Sequence, residues 1–196
     1  MKTIKSAEFL KSEVEFNNFK GFGVPEIMLV GRSNVGKSSF INMLSGNQKL
    51  AKVSSTQGKT KLVNFFMINK EFVVVDLPGY GYAEASKLEQ QRWGKIIDSY
   101  ILGSKHLVSA VLLLDVRHLP TDQDKQMLNY LTFNNIPVTI VATKYDKIKK
   151  AERMKKISDI ATELKVGIEN IYLISAETAY GRDTIIERLY QFVDGE

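Results

Sequence analysis

One octapeptide constrains the fold more than any other part of the chain. Gly31-Arg32-Ser33-Asn34-Val35-Gly36-Lys37-Ser38, with Ser39 behind it, fits the pattern Gly-x-x-x-x-Gly-Lys-Ser, and such a loop works only between a buried strand and the first turn of a helix. Glu26-Ile27-Met28-Leu29-Val30 supplies the apolar run in front, and Phe40, Ile41 and Leu44 give a helical stripe behind it, so the spacing predicts strand, loop and a helix over about Lys37 to Leu44. Gly31 and Gly36 allow backbone angles that a Cβ would forbid, so successive amide N–H groups can curl around phosphate oxygens. Lys37 then offers a charge to the β- and γ-phosphates, and Ser38 places a hydroxyl for a Mg²⁺ that bridges them. The helix aims its positive end at the same point. A glycine-rich turn matching by chance is the alternative, and the flanking strand and helix argue against it.

Two further motifs fall at the ends of apolar runs. Leu62 to Ile68 and Glu71 to Val75 are joined by Asn69-Lys70, which predicts a hairpin. The second run delivers Asp76-Leu77-Pro78-Gly79, in which the Asp would meet Mg²⁺, through its water, and the Gly amide would reach the γ-phosphate. Downstream, the apolar run Pro137 to Ala142 delivers Thr143-Lys144-Tyr145-Asp146. A carboxylate there accepts from both N1–H and the exocyclic amine of guanine, whereas adenine presents an acceptor and no amine, and buried polar groups left unpaired would reject the wrong base. The Lys144 stem can lie along the base and Thr143 can brace the loop. A last run, Ile171 to Ile174, opens into Ser175-Ala176-Glu177, whose small residues allow backbone N–H groups close to a base oxygen.

The remaining elements complete an alternating pattern: helices over 86–102, 121–133, about 149–165 and 181–192, and a strand over Leu107 to Leu114. Trp93 reads as packing. Alternation of this kind predicts an α/β fold, a three-layer P-loop NTPase domain with a mostly parallel six-stranded sheet, one antiparallel edge strand from the hairpin, and helices on both faces. Residues 1–20 are expected to pack on this domain as an extension, with 21–196 as a single nucleotide-binding unit. The absence of Cys excludes disulfides and thiolate metal sites, and the longest apolar run is far too short for a membrane span, so a soluble, cytoplasmic monomer is expected. Net charge is +5. Lys144, Lys147, Lys149, Lys150, Arg153, Lys155 and Lys156 concentrate cations on one segment, which reads either as a solvated face or as a surface for polynucleotide phosphates.

Gly-x-x-x-x-Gly-Lys-Ser, Asp-x-x-Gly, Thr-Lys-x-Asp and Ser-Ala-x, in this order, resemble the G-domain of the translation-factor-related GTPases. The wording Gly31 to Ser39, then Gly58-Lys59-Thr60 leading through Lys61 and Leu62 into Asn64-Phe65-Phe66, then Asp76-Leu77-Pro78-Gly79-Tyr80-Gly81-Tyr82-Ala83, is similar to the bacterial EngB family, also called the YsxC or YihA type. The resemblance covers about residue 20 to the C-terminus. It implies a cytoplasmic GTPase that binds GTP and GDP with Mg²⁺, acts in assembly of the large ribosomal subunit, and is needed for normal division and septation. It makes Thr60 similar to the threonine that completes Mg²⁺ coordination when the γ-phosphate is present, with Thr56 a nearby rival. Lys37, Thr60 and Gly79 would then serve catalysis. Gln57 departs from the family, which commonly has Pro there. Asn34 resembles an asparagine that holds an activating K⁺ in some related GTPases, with ordinary loop bracing as its other reading. Tyr80 stands where many GTPases carry a water-orienting glutamine, so intrinsic hydrolysis is expected to be slow. An ATP-using P-loop kinase or ATPase, and a nucleotide-dependent binding module that never turns over, are the competing classes.

Overall fold

A computed structural model describes residues 2–14, 16, 19–52, 62–81 and 87–195. In chain order the elements are β1 (Ala7–Glu13), β2 (Glu26–Gly31), α1 (Lys37–Ser45), β3 (Val63–Ile68), β4 (Phe72–Asp76), α2 (Lys87–Gly103), β5 (Leu107–Asp115), α3 (Asp122–Phe133), β6 (Val138–Thr143), α4 (Arg153–Leu164), β7 (Ile171–Leu173) and α5 (Arg182–Asp194). The strands form one sheet in the order β1-β3-β4-β2-β5-β6-β7. From β4 to β7 every pairing is parallel, while β3 pairs antiparallel with both β4 and β1.

The sheet therefore has seven strands where six are expected, and its edge is β1 rather than the hairpin strand β3. β1 runs along β3 from Ala7 opposite Ile68 to Glu13 opposite Val63, with a register shift between Phe9 and Lys11. This irregularity breaks the period-2 alternation that marks a half-buried strand in sequence.

Strand alternation divides the core into two layers. Ile27 and Leu29 of β2 face Phe40, Ile41 and Leu44 of α1 and Ile185, Ile186 and Leu189 of α5. Met28 and Val30 face the opposite side, with Ile97 and Tyr100 of α2, Leu131 of α3 and Ile160 and Leu164 of α4. β2, β4 and β5 are almost wholly buried, as expected for central strands covered on both faces. The carboxyl ends of β2, β4, β5, β6 and β7 lie at one edge of this sandwich, where ligands of such sheets bind. No helix among the described residues is long and apolar enough to cross a membrane.

Candidate functional site

The phosphate loop leaves β2 at Gly31 and turns into α1 at Gly36. Gly36 has φ 111°, in the left-handed region that favours glycine, and it caps α1 without a side-chain hydrogen bond. The opening amides of α1 are thus without a side-chain cap, the arrangement that receives an anion. Val35 is buried beneath the loop, while Asn34 is exposed with φ 63°. Arg32 and Tyr80 form a parallel bridge, in which Ser33 N donates to Tyr80 O at 2.8 Å and Tyr80 N donates to Gly31 O at 3.3 Å. The chain after β4 is thereby fastened to the outer side of the loop.

Asp76 ends β4 at 6% exposure, and its Oδ1 is buried without a hydrogen-bond partner. Burial pushes this carboxyl up and the Lys37 ammonium down, and the opposite charge of each partner works against both shifts; the Asn64 side chain also hydrogen-bonds Asp76. A buried carboxylate with an unused oxygen beside an ammonium is a site prepared for a charged guest. Leu77 is fully buried, Pro78 O accepts from Trp93 Nε1 at 2.5 Å, and Gly79 lies against the phosphate loop. A Cβ at residue 79 would sit 2.8 Å from both Ser33 N and Ser33 Cα and 2.9 Å from Lys37 Nζ. Only glycine fits that approach.

The third motif follows β6. Thr143 Oγ1 lies 2.7 Å from Val35 O and 3.0 Å from Leu114 O, tying the β6 end to the phosphate loop. Lys144 adopts φ 61°, and its Nζ donates to Asn34 O at 2.9 Å and to Asp115 Oδ2 at 2.8 Å. Burial alone would raise Asp115, but hydrogen bonds from Arg117 and Lys144 outweigh it and hold the carboxyl well below the usual range. The Lys144 stem is thus stretched between two loops as a flat wall.

Tyr145 and Asp146 belong to a 3₁₀ turn over Tyr145–Lys147. Asp146 Oδ1 accepts from Ser175 Oγ at 2.6 Å. Lys147 Nζ lies 3.0 Å from Asp146 Oδ2 as an ion pair, and Oδ2 is buried. Burial again opposes ionisation, and the Ser175 hydrogen bond together with the adjoining Lys147 ammonium overcomes it, lowering the Asp146 pKa. The result is an ionised carboxylate with one oxygen held by Ser175 and the other beside the Lys147 ammonium, an acceptor pair that suits paired N–H donors on a ligand. Ala176 is half-buried beside it, and Glu177 is exposed and paired with Lys147 at 2.5 Å.

The Gly31–Ser39 loop, the Asp76–Lys37 pair and the Asp146 carboxylate thus share one edge of the sheet. A family model described as 50S ribosome-binding GTPase matches residues 26–144. The probable GTP-binding protein EngB of Clostridium acetobutylicum is 46% identical over 95% of this chain and 94% of its own length. That of Exiguobacterium sp. is 44% identical over 98% and 99%. The chain belongs to the EngB family of GTP-binding proteins. In fold, it is similar to a crystal structure of a probable GTP-binding protein engB, with TM-score 0.64 and 23% identity over 87% of this chain and 99% of that one. It is similar also to Aquifex aeolicus Era bound to GDP·AlF₄⁻, with TM-score 0.67 and 23% identity over 88% and 57%.

For this EngB-family chain, the structure places Gly31 to Ser39, Asp76 to Gly79, Thr143 to Asp146 and Ser175 to Glu177 around the one edge. Gly58, Lys59, Thr60 and Lys61, with Thr56 and Gln57, lie outside the described residues, and Leu62 stands exposed at the entry to β3. Sequence reasoning missed three participants. Asp115, directly after the apolar run Leu107 to Leu114, anchors Lys144. Asp124, 3% exposed, accepts from Tyr80 Oη at 2.7 Å. Asn42, 2% exposed, holds Ala51 N and O and so fixes the chain entering residue 52. An acid directly after a buried strand was the available signal for Asp115; Asp124 and Asn42 sit inside helical patterns that give none.

Proposed function

We propose that this protein is a GTPase switch that binds GTP and GDP with Mg²⁺ and acts in assembly of the large ribosomal subunit, with normal division and septation depending on that work. The observation that carries the nucleotide reading is Asp146: an ionised carboxylate whose Oδ1 is held by Ser175 and whose buried Oδ2 carries only the Lys147 ion pair, placed across Lys144 from the phosphate loop. In this reading Gly31 to Ser39 wraps the phosphates through its amides, Lys37 neutralises them, and Thr143, Lys144 and Ser175 to Glu177 frame the base.

The orphaned Oδ1 of Asp76 fits Mg²⁺ chemistry, because a buried carboxylate oxygen beside the phosphate loop needs a cationic or water-borne partner. Ser38, Asp76 through water, and Thr60 would hold the ion. When bound, Mg²⁺ neutralises charge on the β- and γ-phosphates. Gly79, pressed on Ser33, would present its amide to the γ-phosphate, and with Thr60 it would read whether that phosphate is present; loss of both contacts on hydrolysis releases their loops. Asn34 in its left-handed conformation is the candidate for a K⁺ ligand. The family description as 50S ribosome-binding GTPase supports the ribosomal role, and cytoplasmic location and a monomeric state accompany it.

Calorimetry with GTP, GDP, ATP and xanthine nucleotides on wild type and Asp146→Asn tests the reading. Guanine nucleotides should bind the wild type and ATP should not. The variant should lose guanine affinity by roughly a hundredfold, as a site with mismatched buried polar groups does, and gain xanthine affinity. ATP binding as tightly as GTP would return the chain to the kinase or ATPase class.

A further inference from the structure

Next to the Asp146 reader stands a group that nucleotide binding does not use. The Tyr145 ring is sandwiched: on one side it stacks on Tyr180, with centroids 4.9 Å apart and planes inclined at 27°, and on the other the Arg153 guanidinium lies 4.3 Å from its centroid. Tyr180 caps this stack and is 52% exposed, an unusual exposure for an aromatic ring already covered on one face. Its position is fixed by the backbone, because Ser175 N donates to Tyr180 O at 3.1 Å in an antiparallel bridge. The exposed Lys149 and Lys150 lie in the short segment that leads from the Tyr145–Lys147 turn to Arg153. Among the described residues these two lysines have no ion-pair partner, whereas Lys147 is taken by Asp146 and Glu177 and Lys156 donates to Arg117 O.

We propose that Tyr180 is a base-stacking platform for unpaired RNA, with Lys149 and Lys150 receiving the adjoining phosphates. A rigid, half-open aromatic ring beside uncommitted cations is the combination that recognises single-stranded or looped RNA: the ring accepts a splayed-out base, and the cations track the backbone. A duplex hides its base faces and would use the lysines alone. A protein partner would be expected to bring carboxylates to the lysines and bury the ring in an apolar pocket, but the rim around Tyr180 is formed by the polar residues Glu177 and Thr178 and by Ala179, all exposed. The inference rests on the proposed ribosomal role and names the chemistry of the contact. It also places RNA one hydrogen-bonded bridge away from Ser175, which holds the base-reading carboxylate.

The test uses the full chain loaded with GDP and, as probes, a short fluorescent oligoadenylate and an RNA duplex of the same length. Tyr180→Leu keeps an apolar cover on Tyr145 but removes the ring; it should weaken oligoadenylate binding by roughly tenfold and leave duplex binding unchanged, while Tyr180→Phe should bind as wild type. The double variant Lys149→Ala/Lys150→Ala should weaken both probes and reduce the salt slope for the single strand by about 1.4. Equal oligoadenylate binding by Tyr180→Leu and wild type overturns the proposal, as does failure of the wild type to bind either probe, or cross-linking of Tyr180 on ribosomal subunits to protein and not to RNA. GDP affinity, measured on the same samples, separates the two readings: wild type that binds GDP but not RNA sinks the platform alone, and wild type that fails to bind GDP sinks the GTPase.

Discussion

Tyr80 occupies the place after Gly79 where a water-orienting glutamine would stand, and its side chain is turned away from that duty. It is 6% exposed, its ring meets Trp93 edge-on at 5.2 Å, and its hydroxyl donates to Asp124 Oδ1. Asp124 Oδ2 in turn accepts from Thr121 N at 2.8 Å and Thr121 Oγ1 at 2.7 Å, in the capping box that starts α3. Burial, then the charge of Asp124, pushes the phenol far above its ordinary value, so it stays protonated and committed. Tyr80→Phe should therefore cost about 1–3 kcal/mol of stability by leaving Asp124 one donor short. It should keep intrinsic phosphate release per folded molecule within about threefold of wild type, well below the hundredfold loss typical of a general acid or base. Thermal melts and single-turnover assays on the same preparation check this, and a hundredfold rate loss at unchanged melting temperature would show that the phenol takes part in hydrolysis.

The β3–β4 hairpin and α5 are joined through one turn. Asn69 and Lys70 both have positive φ, 51° and 60°, as in a type I′ turn, which Glu71 N closes on Ile68 O at 2.8 Å one residue before the Ile68–Phe72 pair. The Asn69 side chain then accepts from Lys5 N and Ser6 N and donates to Thr3 O and to Tyr190 Oη, at 2.7–3.0 Å. Tyr190 packs against Phe72 and donates to Glu71. Burial, and then the Glu71 hydrogen bond, push its phenol up to about 12. A folded pKa above the unfolded value stabilises the protonated phenol, so this contribution is complete below about pH 10 and is lost as the pH rises towards 12. Tyr190→Phe should lower stability by about 1–2 kcal/mol at neutral pH, and the gap to wild type should close between pH 10 and 12 in denaturant titrations. The hairpin and its turn were legible because β3 and β4 are unbroken apolar runs around Asn69-Lys70. β1 was not, since it is an edge strand with a bulge and only part of one face covered. The helix read from Lys149 in fact begins at Arg153, after a separate turn over Lys150–Glu152. Lys, Ala and Glu favour helix locally, but the chain must first place Asp146 against Ser175 and bury Ile148, and that tertiary demand wins.

At the scale of the molecule, loops distant in sequence are held together by the sheet they leave. Thr143 reaches back to Val35, Lys144 to Asn34, and Ser33 to Tyr80, so the phosphate and base halves of the site are one body across two apolar layers. Tyr80, locked on Asp124, is not free to orient a water beside Gly79. The purified protein should accordingly release phosphate slowly under multiple turnover, and large ribosomal subunits should accelerate it by on the order of tenfold or more, since a catalytic group supplied in trans is worth at least that in related chemistry. Small subunits should not substitute. Repeating the titration with K⁺ and with Na⁺ assigns the second contribution: a K⁺-specific rise already present without subunits, and abolished in Asn34→Ala, places the ion at the phosphate loop, whereas equal rates in both salts leave the acceleration to the ribosome alone. If large subunits bind the GTP-loaded protein but leave its rate unchanged, the protein is a nucleotide-dependent binding module, and hydrolysis is not the step that releases it.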